Sequence, residues 1–294
     1  MTVEARVVVY AQRLEDDHRD RLATALGRVD VSVDGASSVR TATYEVLTLD
    51  VRIPAGTGSV RRALTDWGAS AAVGAALVPR RVYAPGPKLL IMDVDSTLIK
   101  QEVIELLAAH AGREAEVKAV TDAAMRGELD FAQSLHQRVR ALEGLPASVI
   151  DEVVERIELS DGAEQLVGAY LDAGHAVGVV SGGFSQVLAP LAERLRLSFG
   201  HANQLGIHGG VLTGRVSGAV VDRREKERVL RSEAARAGVG LASTIAVGDG
   251  ANDLDMLAAA GLGVAFNAKP AVRAVAHAAL DLPDLDVVRH LAGL

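Results

Sequence analysis

Four short apolar runs, Lys88–Met92, His175–Val180, Thr244–Val247 and Gly261–Phe266, constrain this chain more than any other feature. Runs this short, without polar alternation, read as strands buried on both faces of a parallel sheet, joined by helical crossovers. Three of them end in polar clusters: Asp93-Val94-Asp95-Ser96-Thr97, Ser181-Gly182-Gly183, and Gly248-Asp249-Gly250-Ala251-Asn252-Asp253. In an open parallel sheet, ligands bind beyond the carboxyl ends of the strands. The three clusters are therefore predicted to meet at one edge, although they are far apart along the chain. Residues 100–160, between the first two runs, are helical in character and too long for a simple crossover; they predict a helical insertion above the sheet.

A different pattern precedes the first run. Residues 5–12 are rich in β-branched side chains, Glu15–Val29 carries Leu22, Leu26 and Val29 at helical spacing, and two strands follow near 30–38 and 42–53. Ser59–Trp67 reads as a helix and Ala71–Pro79 as a strand. The order β-α-β-β-α-β predicts a ferredoxin-like α+β domain over residues 1–80. Pro79, Pro85 and Pro87 punctuate the next stretch, so residues 81–87 are expected to link it to an α/β domain over 88–294, its helical cap spanning about 100–160.

Composition removes several function classes. The net charge is −7 at pH 7 and the aromatic content 3%, so the overall field repels nucleic acid and few rings are available to stack bases. The absence of cysteine excludes disulfides, thiolate metal sites and cysteine nucleophiles. The longest apolar stretch, around Ala69–Pro79, falls short of the ~20 residues a membrane helix requires. No segment has the pattern of a signal peptide, and a cytoplasmic protein with no membrane and no nucleic-acid partner is expected.

The clusters fit phosphoryl transfer. A phosphate dianion repels a carboxylate nucleophile, and a divalent cation together with a lysine offsets that charge. Magnesium takes oxygen ligands, with one or two carboxylates beside water and phosphate; Asp93 and Asp249 supply such a pair. Ser181 and the Gly182 N–H are placed to hydrogen-bond phosphoryl oxygens. Asp95, two residues beyond Asp93, is within reach to protonate a leaving alcohol and then to deprotonate water. Lys226 stands among Arg223, Arg224, Arg228 and Arg231, and taken alone it belongs to a solvated basic face. Asp93–Ile104 fails as a calcium loop, with Leu98 at the glycine position and Ile104 at the glutamate position.

Taken together, these motifs resemble the haloacid dehalogenase superfamily. Its first motif stands as Asp93-Val94-Asp95-Ser96-Thr97, the second-motif Ser is Ser181, the third-motif Lys is Lys226, and the fourth-motif acids are Asp249 and Asp253. The stretches MDVDSTLIKQEVIELLA, AAMRGELDFAQSLHQRV, VVSGGF, VGDGANDLDM and GLGVAFNAKP resemble the branch that hydrolyses O-phosphoserine to serine and phosphate. The resemblance spans roughly 88–280. It implies a Rossmann-like core with a helical cap, Asp93 as nucleophile and Asp95 as general acid and base. It further implies Mg²⁺ held by Asp93, Asp249 and the main-chain carbonyl of Asp95, with Ser181, Gly182, Lys226 and Asn252 on the phosphoryl group and Asp253 orienting the site. Glu102 is implied for the substrate ammonium and Arg138 for its carboxylate, with Met125 and Phe131 lining the cap pocket. Ser160-Asp161-Gly162 and Asn267 depart from the usual pattern, where relatives often have Pro-Gly and His.

Residues 1–80 resemble ACT-type regulatory folds, which implies amino-acid binding and homodimer pairing; the plainer reading is an accessory domain that stabilises a dimer. For the chain as a whole, the alternatives are a phosphotransferase that passes the same intermediate to an alcohol, or an amino-acid sensor without turnover. The intact set Asp93, Asp95, Ser181, Lys226 and Asp249 argues against the sensor.

Overall fold

The computed structural model describes residues 2–54, 56–125 and 128–294, apart from the side chains at 122, 124 and 125. It contains two sheets. The first is built from β1 (Thr2–Ala11), β2 (Ser32–Arg40), β3 (Glu45–Pro54) and β4 (Gly74–Pro79) in the antiparallel order β2-β3-β1-β4. Helices His18–Gly27 and Gly58–Ala71 cross between them, giving the ferredoxin-like topology that the sequence predicts. The second helix runs past Trp67 and ends at Ala72, whose φ of 53° breaks it, so the last strand starts at Gly74 and not at Ala71. Val7, Val8 and Val9 are all fully buried because β1 is covered on both faces. Val7 and Val9 pack under Leu22, Leu26 and Trp67 of the two helices. Val8 and Tyr10 join the main core of the second unit, with Leu280, Leu285 and Leu291.

The second sheet has seven strands: β5 (Leu89–Met92), β6 (Ala176–Phe184), β7 (Phe199–His208), β8 (Val211–Ser217), β9 (Thr244–Gly248), β10 (Leu262–Phe266) and β11 (Ala278–Leu280). Their order is β11-β10-β9-β5-β6-β7-β8, parallel except for the β7–β8 hairpin. The four apolar runs form adjacent strands at its centre, each buried on both faces. Placing β5 between β6 and β9 brings the three polar loops to one edge.

Between β5 and β6, helices Val103–Ala111, Glu114–Met125, Phe131–Arg140 and Val149–Glu155 form the expected insertion. Asp130 caps the third of these with a reciprocal Gln133 capping box, which fixes where Phe131 and Arg138 begin their face of the helix. The β7–β8 hairpin is an addition to the pattern of apolar runs. It supports the insertion from below, with Gly144 N–H donating to the Leu212 carbonyl and Ala147 N–H to that of Gly210. Among the described residues, no helix is long and apolar enough to cross a membrane.

Candidate active site

Past the end of β5 the chain makes a tight loop, with Ser96 at φ 55°, before Glu102 opens the first inserted helix. That loop turns Asp93 and Asp95 in different directions. Asp93 Oδ1 accepts the Val94 N–H at 2.7 Å and lies 2.8 Å from Lys226 Nζ. Both contacts fall on Oδ1, which leaves Oδ2 as the oxygen available for attack. Asp95 instead accepts the Val103 N–H at 2.7 Å through Oδ1 and the Ser181 hydroxyl at 2.9 Å through Oδ2. Val103 is the first residue of its helix, so Asp95 satisfies an orphan donor at the positive end of the helix dipole.

Lys226 is fully buried on helix Arg223–Arg236, which Asp222 caps through the Glu225 N–H at 2.9 Å. Its ammonium bridges Asp93 and Asp253, at 2.8 and 2.7 Å. Burial pulls its pKa down, but the Asp253 and Asp93 carboxylates outweigh that and hold it up, so it stays charged. It is therefore no part of the exposed basic face formed by its arginine neighbours. Asp253 also accepts the Gly250 N–H at 3.0 Å. Gly248 must lack a side chain here, because a Cβ would collide with the Asp253 carboxyl group.

Carboxylate oxygens of Asp93, Asp249 and Asp253 lie within 4.8 Å of one another. Burial first, and then the Asp253 charge, raises Asp93 well above the usual carboxylate range, with Lys226 opposing. The same two causes push Asp249 up to about 6. Asp95 is also raised, chiefly by burial. Three acids against one ammonium leave the cluster short of positive charge, and the donors are all hard oxygens. This set fits Mg²⁺ or a similar hard divalent cation. Since Asp253 is already held by Lys226 and Gly250, Asp93 and Asp249 are the carboxylates with free capacity for an ion.

Above this floor opens a cavity of about 570 Å³ lined by Asp93, Asp95, Glu102, Phe131, Arg138, Gly182, Asp249 and Asn252, among others. Glu102 accepts the Ser96 hydroxyl at 2.8 Å and is pushed up to about 7, first by burial and then by the Asp95 charge. Arg138 is half-buried and donates to the Ser134 carbonyl at 3.3 Å. Phe131 packs over the second loop, where a Cβ at Gly182 would sit 2.8 Å from the Phe131 ring. Ser181 and Lys226 lie beneath the cavity wall, both buried. The side chain of Met125 lies outside the described residues.

Two further polar residues complete the site: Thr97 closes the first motif, whereas Asn203 escapes the sequence pattern. Thr97, fully buried, stands with its hydroxyl 3.5 Å from Asp249. Asn203 on β7 is also buried, and donates to the Gly182 carbonyl at 2.8 Å. The one signal for Asn203 is the residue type itself, since asparagine is depleted within strands.

The fold and this loop constellation define a capped, acid-centred hydrolase of the Rossmann-like class. The chain belongs to the haloacid dehalogenase-like hydrolase family, whose model matches residues 90–258. It is similar to the phosphoserine phosphatase of Streptomyces coelicolor, at 54% identity over 256 residues, covering 87% of this chain and 62% of that protein. The phosphoserine phosphatase of Streptococcus thermophilus is 48% identical over 197 residues, covering 67% of this chain and 92% of that one. The solved structure of a probable phosphoserine phosphatase from Vibrio cholerae, unliganded, superposes with a TM-score of 0.79 at 32% identity, covering 99% of this chain and 87% of that one. The chain thus spans less than two thirds of the length of the Streptomyces relative.

Proposed function

We propose that this chain is a Mg²⁺-dependent phosphatase that hydrolyses O-phosphoserine to serine and phosphate through an aspartyl-phosphate on Asp93. One observation carries this reading. Asp93 and Asp95 share one loop but face different partners, and the cavity above them is lined by acids and bases of both signs, among them Glu102 and Arg138 beside Glu105 and Lys269. A zwitterionic phosphate ester matches that set, with the phosphate toward Asp93, the ammonium toward Glu102 and the carboxylate toward the Arg138 fork.

Asp93 Oδ2 attacks phosphorus while the bond from phosphorus to the serine oxygen breaks. Asp95, protonated beforehand, gives its proton to the departing alkoxide. The resulting Asp95 carboxylate then takes a proton from water as that water attacks the phosphorus, and the bond to Asp93 breaks to release phosphate. Ser181, the Gly182 N–H, Lys226 and Asn252 hold the phosphoryl oxygens throughout, and Asp253 keeps Lys226 in place. Asp93, Asp249 and the main-chain carbonyl of Asp95 would hold Mg²⁺, which when bound neutralises part of the phosphate charge. Phe131 closes the cap over the second loop and excludes water from the first step.

In this reading residues 88–294 are the catalytic unit, with the cap at about 100–160, and 81–87 join it to an ACT-type accessory unit over 1–80 that pairs two copies into a homodimer. Its small zwitterionic substrate and cysteine-free sequence suit a cytoplasmic enzyme. The test is phosphate release from O-phospho-L-serine against a panel of phosphomonoesters, with Mg²⁺ or with EDTA. Phosphoserine is expected to lead the panel, with turnover lost in EDTA and in Asp93→Asn, since an amide does not attack phosphorus. Equal rates across the panel would reject the substrate, and full activity of Asp93→Asn would reject the nucleophile.

A further inference from the structure

Strand pairing between β6 and β7 breaks where the second loop begins. Val180 pairs with His201 and the next registered pair is Phe184 with Asn203, so four steps on β6 oppose two on β7. Residues 181–183 are therefore a bulge of β6, and bulges leave main-chain groups without ladder partners. The Gly182 carbonyl is such a group, and the Asn203 side chain takes it, donating from Nδ2 at 2.8 Å. The bond has a consequence further along. The Gly182 carbonyl shares a rigid peptide plane with the Gly183 N–H. That N–H donates to Ser181 Oγ at 2.7 Å, and the Ser181 hydroxyl donates to Asp95 Oδ2 at 2.9 Å. A continuous series of hydrogen bonds thus runs from Asn203 to Asp95. At its other end, Asn203 Oδ1 accepts the Val221 N–H at 2.8 Å, next to the Asp222 cap of the helix that carries Lys226.

We propose that Asn203 is a positioning residue for leaving-group protonation: by holding the Gly182–Gly183 peptide plane it aims Ser181, and through Ser181 the Asp95 carboxyl group, at the departing oxygen. The inference rests on the phosphatase reading and deepens it. A buried amide suits this role because it carries a donor and an acceptor and no charge. It grips the bulge and the helix start at once, so two loops that meet at the phosphate share one anchor.

The experiment compares kcat/KM for phenyl phosphate and 4-nitrophenyl phosphate, two esters of similar shape that differ in how much their leaving group depends on protonation. In Asn203→Asp the acceptor for Val221 remains, while the donor to Gly182 is replaced by a repelling oxygen. A misaimed acid is expected to lower kcat/KM on phenyl phosphate by about 30-fold and on 4-nitrophenyl phosphate by less than about fivefold. The ratio is taken within one preparation, so partial unfolding cancels, and Asn203→Ala supplies a second variant with the same expected direction. A ratio unchanged from wild type in both variants, with both rates lowered together, would make Asn203 merely structural and overturn the proposal. Absence of phosphate release by the wild-type protein would instead overturn the phosphatase reading, and this inference with it.

Discussion

Both the floor of the cavity and the seam between the two sheets bury acidic side chains, but they neutralise them in different ways. At the floor, Asp93, Asp249 and Asp253 crowd within 4.8 Å, and the Lys226 ammonium bridges Asp93 and Asp253. At the seam, Asp284 accepts the Thr43 hydroxyl at 2.6 Å and Asp286 accepts the Tyr44 hydroxyl at 2.6 Å, with Arg289 Nε 3.1 Å from Asp286. Each seam acid therefore has its own donor from the loop that joins β2 to β3. Acids that have found partners hold structure together; acids left short of positive charge mark a place for something that arrives later. Deleting one acid from each region should accordingly change stability in opposite directions.

The largest expected effect belongs to the floor. Asp249→Asn removes one of three mutually repelling carboxylates, so in EDTA the variant should melt above the wild type. Its activity should nevertheless fall by about 10³-fold, because an amide is a poor Mg²⁺ ligand. Added Mg²⁺ at about 100 times its Kd should stabilise the wild type by about 2.7 kcal/mol and leave the variant's melting temperature unmoved. A calorimetric scan of both proteins, with and without Mg²⁺, checks each part. An equal Mg²⁺ response in both would show that the floor is satisfied as it stands, and the contrast with the seam would fail.

Glu102 gives an intermediate effect with a pH signature. Its pKa is pushed up to about 7, so the carboxyl loses its proton as pH rises through that value, and only the ionised form attracts an ammonium. The ratio of kcat/KM for phosphoserine over an aryl phosphate should therefore climb from about pH 6 to about pH 8 in the wild type. In Glu102→Gln the ratio should be flat and about 10²-fold lower at the upper end. Stability responds to the same proton in the opposite sense. Between the ordinary 4.5 and about 7 the folded protein keeps a proton that the unfolded chain has released, so this group's contribution to stability falls as pH rises across that window. Glu102→Gln should then raise the melting temperature at pH 8 and not at pH 4. A pH-independent ratio in the wild type would remove Glu102 from substrate recognition.

The floor was largely legible in the sequence and the seam was not, for a physical reason. Asp93, Ser181 and Asp249 each follow an uninterrupted apolar run, and buried parallel strands announce their ends sharply. Lys226 was legible only through family resemblance, because its arginine neighbours imitate a solvated face until the fold shows which side of the helix turns inward. The β7–β8 hairpin, and Asn203 with it, is interrupted by Gly206, Gly209, Gly210 and Gly214, which blur any alternation. The seam pairs residues more than 240 positions apart, such as Tyr44 with Asp286, and single hydroxyl–carboxylate contacts leave no spacing for a reader to find.

The smallest expected effect tests the seam itself. Tyr44 is 1% exposed and its ring packs in the main core, so Tyr44→Phe keeps the packing and deletes one donor. Asp286 then stays buried with one hydrogen bond fewer, a loss of about 1.5–3 kcal/mol for a bond to a charged group. Urea unfolding should move by that amount, while kcat in saturating substrate and Mg²⁺ stays within about twofold. The separation follows from geometry, because the Tyr44 hydroxyl contacts Asp286, His290 and Arg289 and none of the residues lining the cavity. The seam nevertheless touches the insertion's re-entry point, where the Leu285 N–H donates to the Asp161 carbonyl at 2.7 Å and Ser160 bonds the Thr97 carbonyl at 2.6 Å. A fall in kcat approaching that of Asp249→Asn would therefore mean that the first sheet holds the catalytic loop in register through this route, and the two regions would no longer count as independent.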